Sequence, residues 1–222
     1  AGAPAFQLVE RLYWFQHVFR AQESNPLTHK SLAILDNASR ESCDTLDGVE
    51  DGVINDPRLC TETHFSIDSL LCAGTQTDEC LTEGQLKTAR AIYEDLKDSQ
   101  GNVISPGVPP GAEAGTTKHL GWASWLLPIE SPVVLAATGL DEGKSLISSN
   151  FEMLELLMRF DATFDIETWK QTDRQRIGRV TAPLDLLTPD LTEFRDNGGK
   201  LLIYQGWHDF AIRPGRIIEY LS

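Results

Sequence analysis

Residues 198–210 read GGKLLIYQGWHDF, and the reading of their middle decides the fold. From Lys200 to Gly206 the chain is a short, continuous apolar run. Such a run predicts a strand buried on both faces, as in a parallel sheet. Thr188, Pro189 and Asp190 predict a short helix just before it, with Thr188 as N-cap and Pro189 at the first helical position. Gly198 and Gly199 would end that helix. Asp209 then falls three residues past the run, in the loop at its carboxyl end, where open α/β sheets gather their functional groups.

Working outward, the rest of the chain is mostly helical in pattern. Ala1 to Ala5, AGAPA, is a small-residue stretch suited to the point where a buried strand gives way to a loop. Leu8, Leu12, Phe15, Val18 and Phe19 recur at helical spacing and predict an amphipathic helix over 6–20. A second helix is expected over Leu27–Ser42 with Thr28 as its cap, and a third over 82–96, where Thr82 and Gln85 carry a capping signature. The Gly- and Pro-rich stretch 98–115, DSQGNVISPGVPPGAEAG, predicts a long irregular loop. Another amphipathic helix is expected at about 149–160. The pattern is that of an α/β core interrupted by a large insertion.

The insertion contains CDTLDGVEDGVINDPRLC, residues 43–60, an acidic loop bracketed by cysteines. Asp44, Asp47 and Asp51 lie within eight residues and are spaced by Gly48 and Gly52. So much negative charge on one tight turn is costly unless a cation sits among the carboxylates. Hard oxygen donors, with glycines that let carbonyls point inward, suit Ca²⁺ better than a transition metal. The loop is not an EF-hand, since position twelve from Asp44 is Asn55 where that loop needs Glu. The competing reading is a solvated acidic hairpin in which the Asp-Gly pairs serve as turns.

Composition narrows the setting. A 222-residue chain with a hydrophobic fraction of 41% and five tryptophans can bury a sizeable core. Its formal net charge of −14 disfavours nucleic acid and anionic membranes as partners. No apolar run is long enough to span a bilayer. Cys43, Cys60, Cys72 and Cys80 allow three pairings. Neighbour pairing closes two compact loops, each adding roughly 2.5 to 3 kcal/mol in the chain-entropy model. No cysteine spacing suits zinc. Disulfides together with a calcium loop point to a secreted, extracellular or periplasmic protein.

For chemistry, Asp209 is the leading candidate. A helix, two glycines, an apolar strand and an aspartate in a tight loop resemble the acid arm of an α/β-hydrolase triad, where the acid holds a histidine in its working tautomer. No G-x-S-x-G elbow occurs in the chain. Ser124, in GWASW, lacks the second glycine and follows no strand signal. His17, His29, His64, His119 and His208 are scattered, and His208 is too close to Asp209 in sequence to serve as its partner. Such hydrolases run Ser, Asp, His along the chain. The expectation is therefore a nucleophile before Ala1 and a base after Ser222, with this chain the middle of a longer enzyme. The start at Ala1 agrees with that reading. The rival is a secreted, calcium-stabilised binding domain with no catalytic activity.

Taken together these strings resemble the tannase and fungal feruloyl esterase family over nearly the whole chain. AGAPA resembles the segment that follows the nucleophile elbow, and residues 43–60 resemble the family's calcium-binding lid loop. LLCAGTQTDECLT (70–82) and SPGVPPGAE (105–113) resemble the next lid segment with its own short disulfide. GGKLLIYQGWHDFAIRP (198–214) resembles the strand and acid loop of the core. The resemblance implies a partial α/β-hydrolase core over 1–35, a disulfide-stapled lid over 36–185 and a return to the core over 186–222. It implies Asp209 as triad acid, and Ca²⁺ held by the side chains of Asp44, Asp47 and Asp51 with the carbonyls of Val49 and Val53. The substrate implied is a small aromatic acid ester, of feruloyl or galloyl type, hydrolysed by a Ser-Asp-His mechanism. The isolated chain, lacking Ser and His, is expected to be inactive. Trp122 and Trp125 either line the acyl pocket or are buried structural residues. Gln205 departs from the histidine many members carry before Gly206, which opens the question of what bonds to the acid.

Overall fold

The computed structural model describes residues 2, 8–75, 77, 79–115, 121–128, 143–148 and 190–221. The helix expected at 149–160, the proposed cap Thr188 and most of AGAPA lie outside the described residues. Within them the architecture is mainly helical. It comprises α1 (Leu8–Ser24), α2 (His29–Cys43), α3 (Glu83–Tyr93), α4 (Gly121–Leu126), α5 (Thr192–Asp196) and α6 (Pro214–Leu221). Two short strands, β1 (Leu96–Lys97) and β2 (Val103–Ser105), pair antiparallel.

The first helix forms where its apolar spacing predicts. Leu12, Phe15 and Val18 are buried, and so is Trp14, which lies off the stripe read from sequence. A side chain then steers the chain into the next helix. The amide of Gln22 donates to the Leu27 carbonyl (3.0 Å) and accepts from the Leu27 N–H (2.9 Å), holding the connection through Pro26. Thr28 caps α2 in a capping box completed by Ser31. Thr82 caps α3 in the same way with Gln85.

Helix α3 packs along α1 through both apolar and polar contacts. Thr88 is fully buried and its hydroxyl is shared between the carbonyls of Ala21 (3.0 Å), which also accepts the Asn25 N–H, and Asn25 (2.7 Å), just past the end of α1. Gly84 permits that approach, because a Cβ there would lie 2.2 Å from Asn25 Oδ1. The larger hydrophobic core among the described residues is built from Trp14, Phe15, Leu32, Leu35, Leu86, Ile92, Trp122 and Phe210 among others, and a smaller one from Cys43, Ile54 and Phe65. The larger one joins α1 and Phe210, from the segments read as hydrolase core, to helices read as lid. Helix α2 also runs unbroken across position 36.

Three expectations are corrected. Residues 98–115 are not wholly irregular, since 103–105 form β2; Val103 and Ile104 are β-branched residues in a run long enough to pair with 96–97. The helix before the double glycine is Thr192–Asp196 with Leu191 as its cap, and Asp190, expected within its first turn, stands before it. Asp190 instead accepts the Thr192 N–H in a local turn (3.0 Å). Gly198, at φ +78°, does end it. The largest correction concerns 200–206, which forms no buried strand. Its one ladder contact among the described residues is a parallel bridge between Tyr204 and Gly2, and Leu202 is 78% exposed. A strand buried on both faces needs partners on both edges and a layer on each face. The described residues supply a single bridge.

Candidate active site

Asp209 sits in the turn after the apolar run, half-buried and held from several directions. Its Oδ1 accepts the N–H groups of Ala211 (3.0 Å) and Ile212 (2.9 Å), so the carboxylate caps the turn that leads into α6. Its Oδ2 accepts from the side-chain amide of Gln205 (3.1 Å), which also donates to the Ile212 carbonyl (2.8 Å). Gln205, whose bonding the sequence left open, is therefore the residue that braces Asp209. Three bonds fix the plane of the carboxylate, which is what orienting an imidazole requires.

The surroundings are cationic and aromatic. Arg213 is buried, lies over the Trp14 ring at 4.5 Å and donates from Nε to Ser105 Oγ (2.9 Å). Burial first, and then repulsion from Arg216 and Arg11, pulls its pKa down to about 9. Arg216 is neutralised by Glu10 (2.5 Å) and Glu219 (2.5 Å), which ties α6 to α1. Behind the acid, Phe210 stacks on Trp125 (5.4 Å), and Trp125 stacks on Phe15 (5.5 Å). Trp14 and Trp122 meet Phe210 edge-on. Of the two tryptophans singled out in the sequence, Trp122 is fully buried and structural, whereas Trp125 is only half-buried.

His208, next to Asp209, points elsewhere. Its Nε2–H donates to the Pro110 carbonyl (3.1 Å), and burial lowers its pKa. Ser124 lies inside α4 and donates to the Gly121 carbonyl (3.2 Å), an ordinary helical back-bond.

The acidic loop closes on itself. Cys43 pairs with Cys60 and Cys72 with Cys80, the neighbour pairing. A single 3-10 turn, Asp44–Asp47, ends at Gly48, whose φ of +92° a side chain would resist. Both oxygens of Asp44 accept the Gly52 N–H (3.0 Å each), and its Oδ1 also accepts the Val53 N–H (3.1 Å). Asp47 accepts from Val49 N–H (2.9 Å) and Asn55 N–H (3.2 Å), and the Val49 bond leads in holding its pKa low. Asp51 accepts the Val53 N–H (3.1 Å). Three carboxylates on one loop, with no sulfur or imidazole among them, fit a hard cation by donor type. In the geometry present they bond the loop's own amides, and no group of three metal-ligating side chains converges among the described residues.

One buried group escaped the sequence reading. Glu113 is fully buried and accepts from the Tyr93 hydroxyl (2.6 Å), the Ser39 hydroxyl (3.3 Å) and the Gly111 N–H (3.0 and 3.1 Å). Burial raises its pKa. A charged residue in a Gly- and Pro-rich stretch reads as solvated, and no local signal marks it as a core group. A cleft of about 480 Å³ lies between residues 60–68 and the end of α3, lined by Phe65, Arg90, Tyr93, Lys97 and Pro110 among others, and not by the loop of Asp209. No helix among the described residues is long and apolar enough to cross a membrane.

Comparison with known proteins places this arrangement. A probable feruloyl esterase B of Emericella nidulans is 31% identical over 221 residues, which cover 96% of this chain and 37% of that protein. An uncharacterized esterase of Xanthomonas campestris is 29% identical over 99% of this chain and 38% of its own length. The crystal structure of feruloyl esterase B from Aspergillus oryzae superposes over 100% of this chain and 41% of that one, with a TM-score of 0.75 at 26% identity. The tannin acyl hydrolase of Aspergillus niger shares the fold, with a TM-score of 0.68 at 21% identity over 99% of this chain and 40% of its own. The chain thus spans about two-fifths of the length of these relatives, whose architecture is α/β-hydrolase-like. The family model for tannase and feruloyl esterase matches residues 1–222, and the chain belongs to that family.

Proposed function

We propose that this chain is the lid and acid-loop portion of a serine carboxylic ester hydrolase that acts on aromatic acid esters of feruloyl or galloyl type. The observation that carries the reading is the Asp209 carboxylate, held by Ala211, Ile212 and Gln205 beside an aromatic cluster. Family membership supports the reaction class. In this mechanism Asp209 accepts the N–H of a histidine, fixes its tautomer and stabilises the imidazolium formed as serine attacks the ester carbonyl. The order Ser, Asp, His puts that serine before Ala1 and the histidine after Ser222. The half-buried Trp125, stacked on Phe210, is suited to sit near an aromatic acyl group. Calcium would be held by Asp44, Asp47 and Asp51 with the carbonyls of Val49 and Val53, and would brace the lid without touching substrate. The disulfides agree with a secreted protein.

The test is hydrolysis of the methyl esters of ferulic and gallic acids by the full-length protein that contains this chain. Asp209→Asn is expected to lower kcat by about 10⁴-fold, as loss of a triad acid does, with KM little changed. The isolated 222-residue chain is expected to show no turnover. Undiminished turnover in the Asp209 variant overturns the assignment.

A further inference from the structure

Glu113 has no part in the ester-hydrolysis reading, yet its position joins the lid to the acid loop. Its carboxylate gathers Ser39 of α2, Tyr93 of α3 and the Gly111 N–H. That N–H belongs to the same peptide group as the Pro110 carbonyl, and the carbonyl accepts from His208 Nε2–H at 3.1 Å. One peptide plane is therefore clamped between a buried carboxylate on its N–H side and an imidazole on its C=O side. Such chains polarise one another: a negatively charged acceptor on the N–H makes the C=O a stronger acceptor. Because a carbonyl can only accept, the bond also specifies that His208 carries its proton on Nε2. The fit at this point leaves no slack. Gly111 has φ +116°, and a Cβ there would stand 2.9 Å from His208 Nε2.

We propose that Glu113 is a positioning residue for the acid loop: through the Pro110–Gly111 peptide it fixes the place and tautomer of His208, and through His208 the orientation of the adjacent Asp209. The role of Asp209 in this statement rests on the esterase reading above; the link from Glu113 to His208 does not.

The experiment uses the full-length protein with ¹⁵N-labelled histidine, so that long-range ¹H–¹⁵N spectra report the His208 tautomer and its Nε2–H resonance. Ester kinetics are measured on the same samples. Glu113→Gln removes the charge and one acceptor oxygen. The His208 resonance is expected to move, a second tautomer to appear, and kcat to fall roughly tenfold to a hundredfold, the scale of small misplacements in a catalytic group, with KM little changed. Thr88→Val is the control. It removes buried bonds at the end of α1, lowers stability, and is expected to leave both His208 and kcat where they were. If Glu113→Gln fails to fold, Tyr93→Phe carries the test by deleting one bond to the same carboxylate, with a smaller shift in the same direction. An unmoved His208 in a folded Glu113 or Tyr93 variant overturns the proposal, as does an equal shift in Thr88→Val. A moved His208 with unchanged kcat overturns the positioning of Asp209. If the unaltered protein hydrolyses no aromatic ester, the esterase reading fails, and the His208 spectra still decide whether Glu113 reaches the acid loop.

Discussion

The cysteine-bracketed loop 43–60 and the apolar run 200–206 are equally distinctive in sequence, and they behave in opposite ways. The loop completes itself: its aspartates take up its own backbone N–H groups, its glycine turns, and Cys43 bonds Cys60 across a separation of 17 residues. The run does not: among the described residues its ladder contact is one bridge with Gly2, and Leu201, Leu202 and Tyr204 are exposed. A segment whose partners lie within a few residues reaches its geometry alone, whereas a parallel strand depends on distant chain and on loop closures that must come first.

The sharpest way to break this contrast is to open the loop. Replacing both Cys43 and Cys60 with Ser is expected to cost about 3 kcal/mol, the chain-entropy value for a loop of this length, measured by urea denaturation with the Cys72–Cys80 bridge intact. A loss under a third of that would mean the carboxylate–amide bonds suffice without the bridge. A smaller effect is expected from Asp44→Ala. It removes the acceptor of the Gly52 N–H and one of the two acceptors of the Val53 N–H, at about 0.5 to 1.5 kcal/mol for hydrogen bonds lost at exposed residues. In the calcium reading it also abolishes any rise of Tm on adding Ca²⁺ to chelator-treated protein. A Ca²⁺-dependent rise that survives the substitution would move the ion elsewhere, and no rise in the unaltered protein would leave an acidic hairpin. The smallest effect is expected in the run itself. Leu202→Ser should change the stability of the isolated chain by no more than about 0.5 kcal/mol, as an exposed site does. A loss several times larger would show that the run is buried in solution.

What could be read from the residues tracks the range of the interactions. Thr28 and Thr82 were legible as caps because a capping box spans only four residues. The neighbour pairing of the cysteines was among the options open to sequence, and the short loops it closes are the ones that form. Asp209 was placed in its turn by counting from the run. Its braces were not, because Gln205 and Ile212 reach it only once the turn has closed. Trp14 was missed because the helical stripe was read too narrow, and α1 is packed on more of its circumference than one stripe allows.

By itself, then, the sequence determined the first three helices with the caps of α2 and α3, the acidic turn and the position of Asp209, all set by spacing along the chain, and it left the cysteine pairing open among three. Only the tertiary structure decided that Glu113 is a core residue and that Arg213 lies on Trp14. It alone showed that α1 and Phe210 share one core with the helices read as lid, and that Leu201, Leu202 and Tyr204 stand exposed. Each of these depends on which distant surfaces meet. Burial of a charge or exposure of a leucine is a property of that meeting, and no local pattern encodes it.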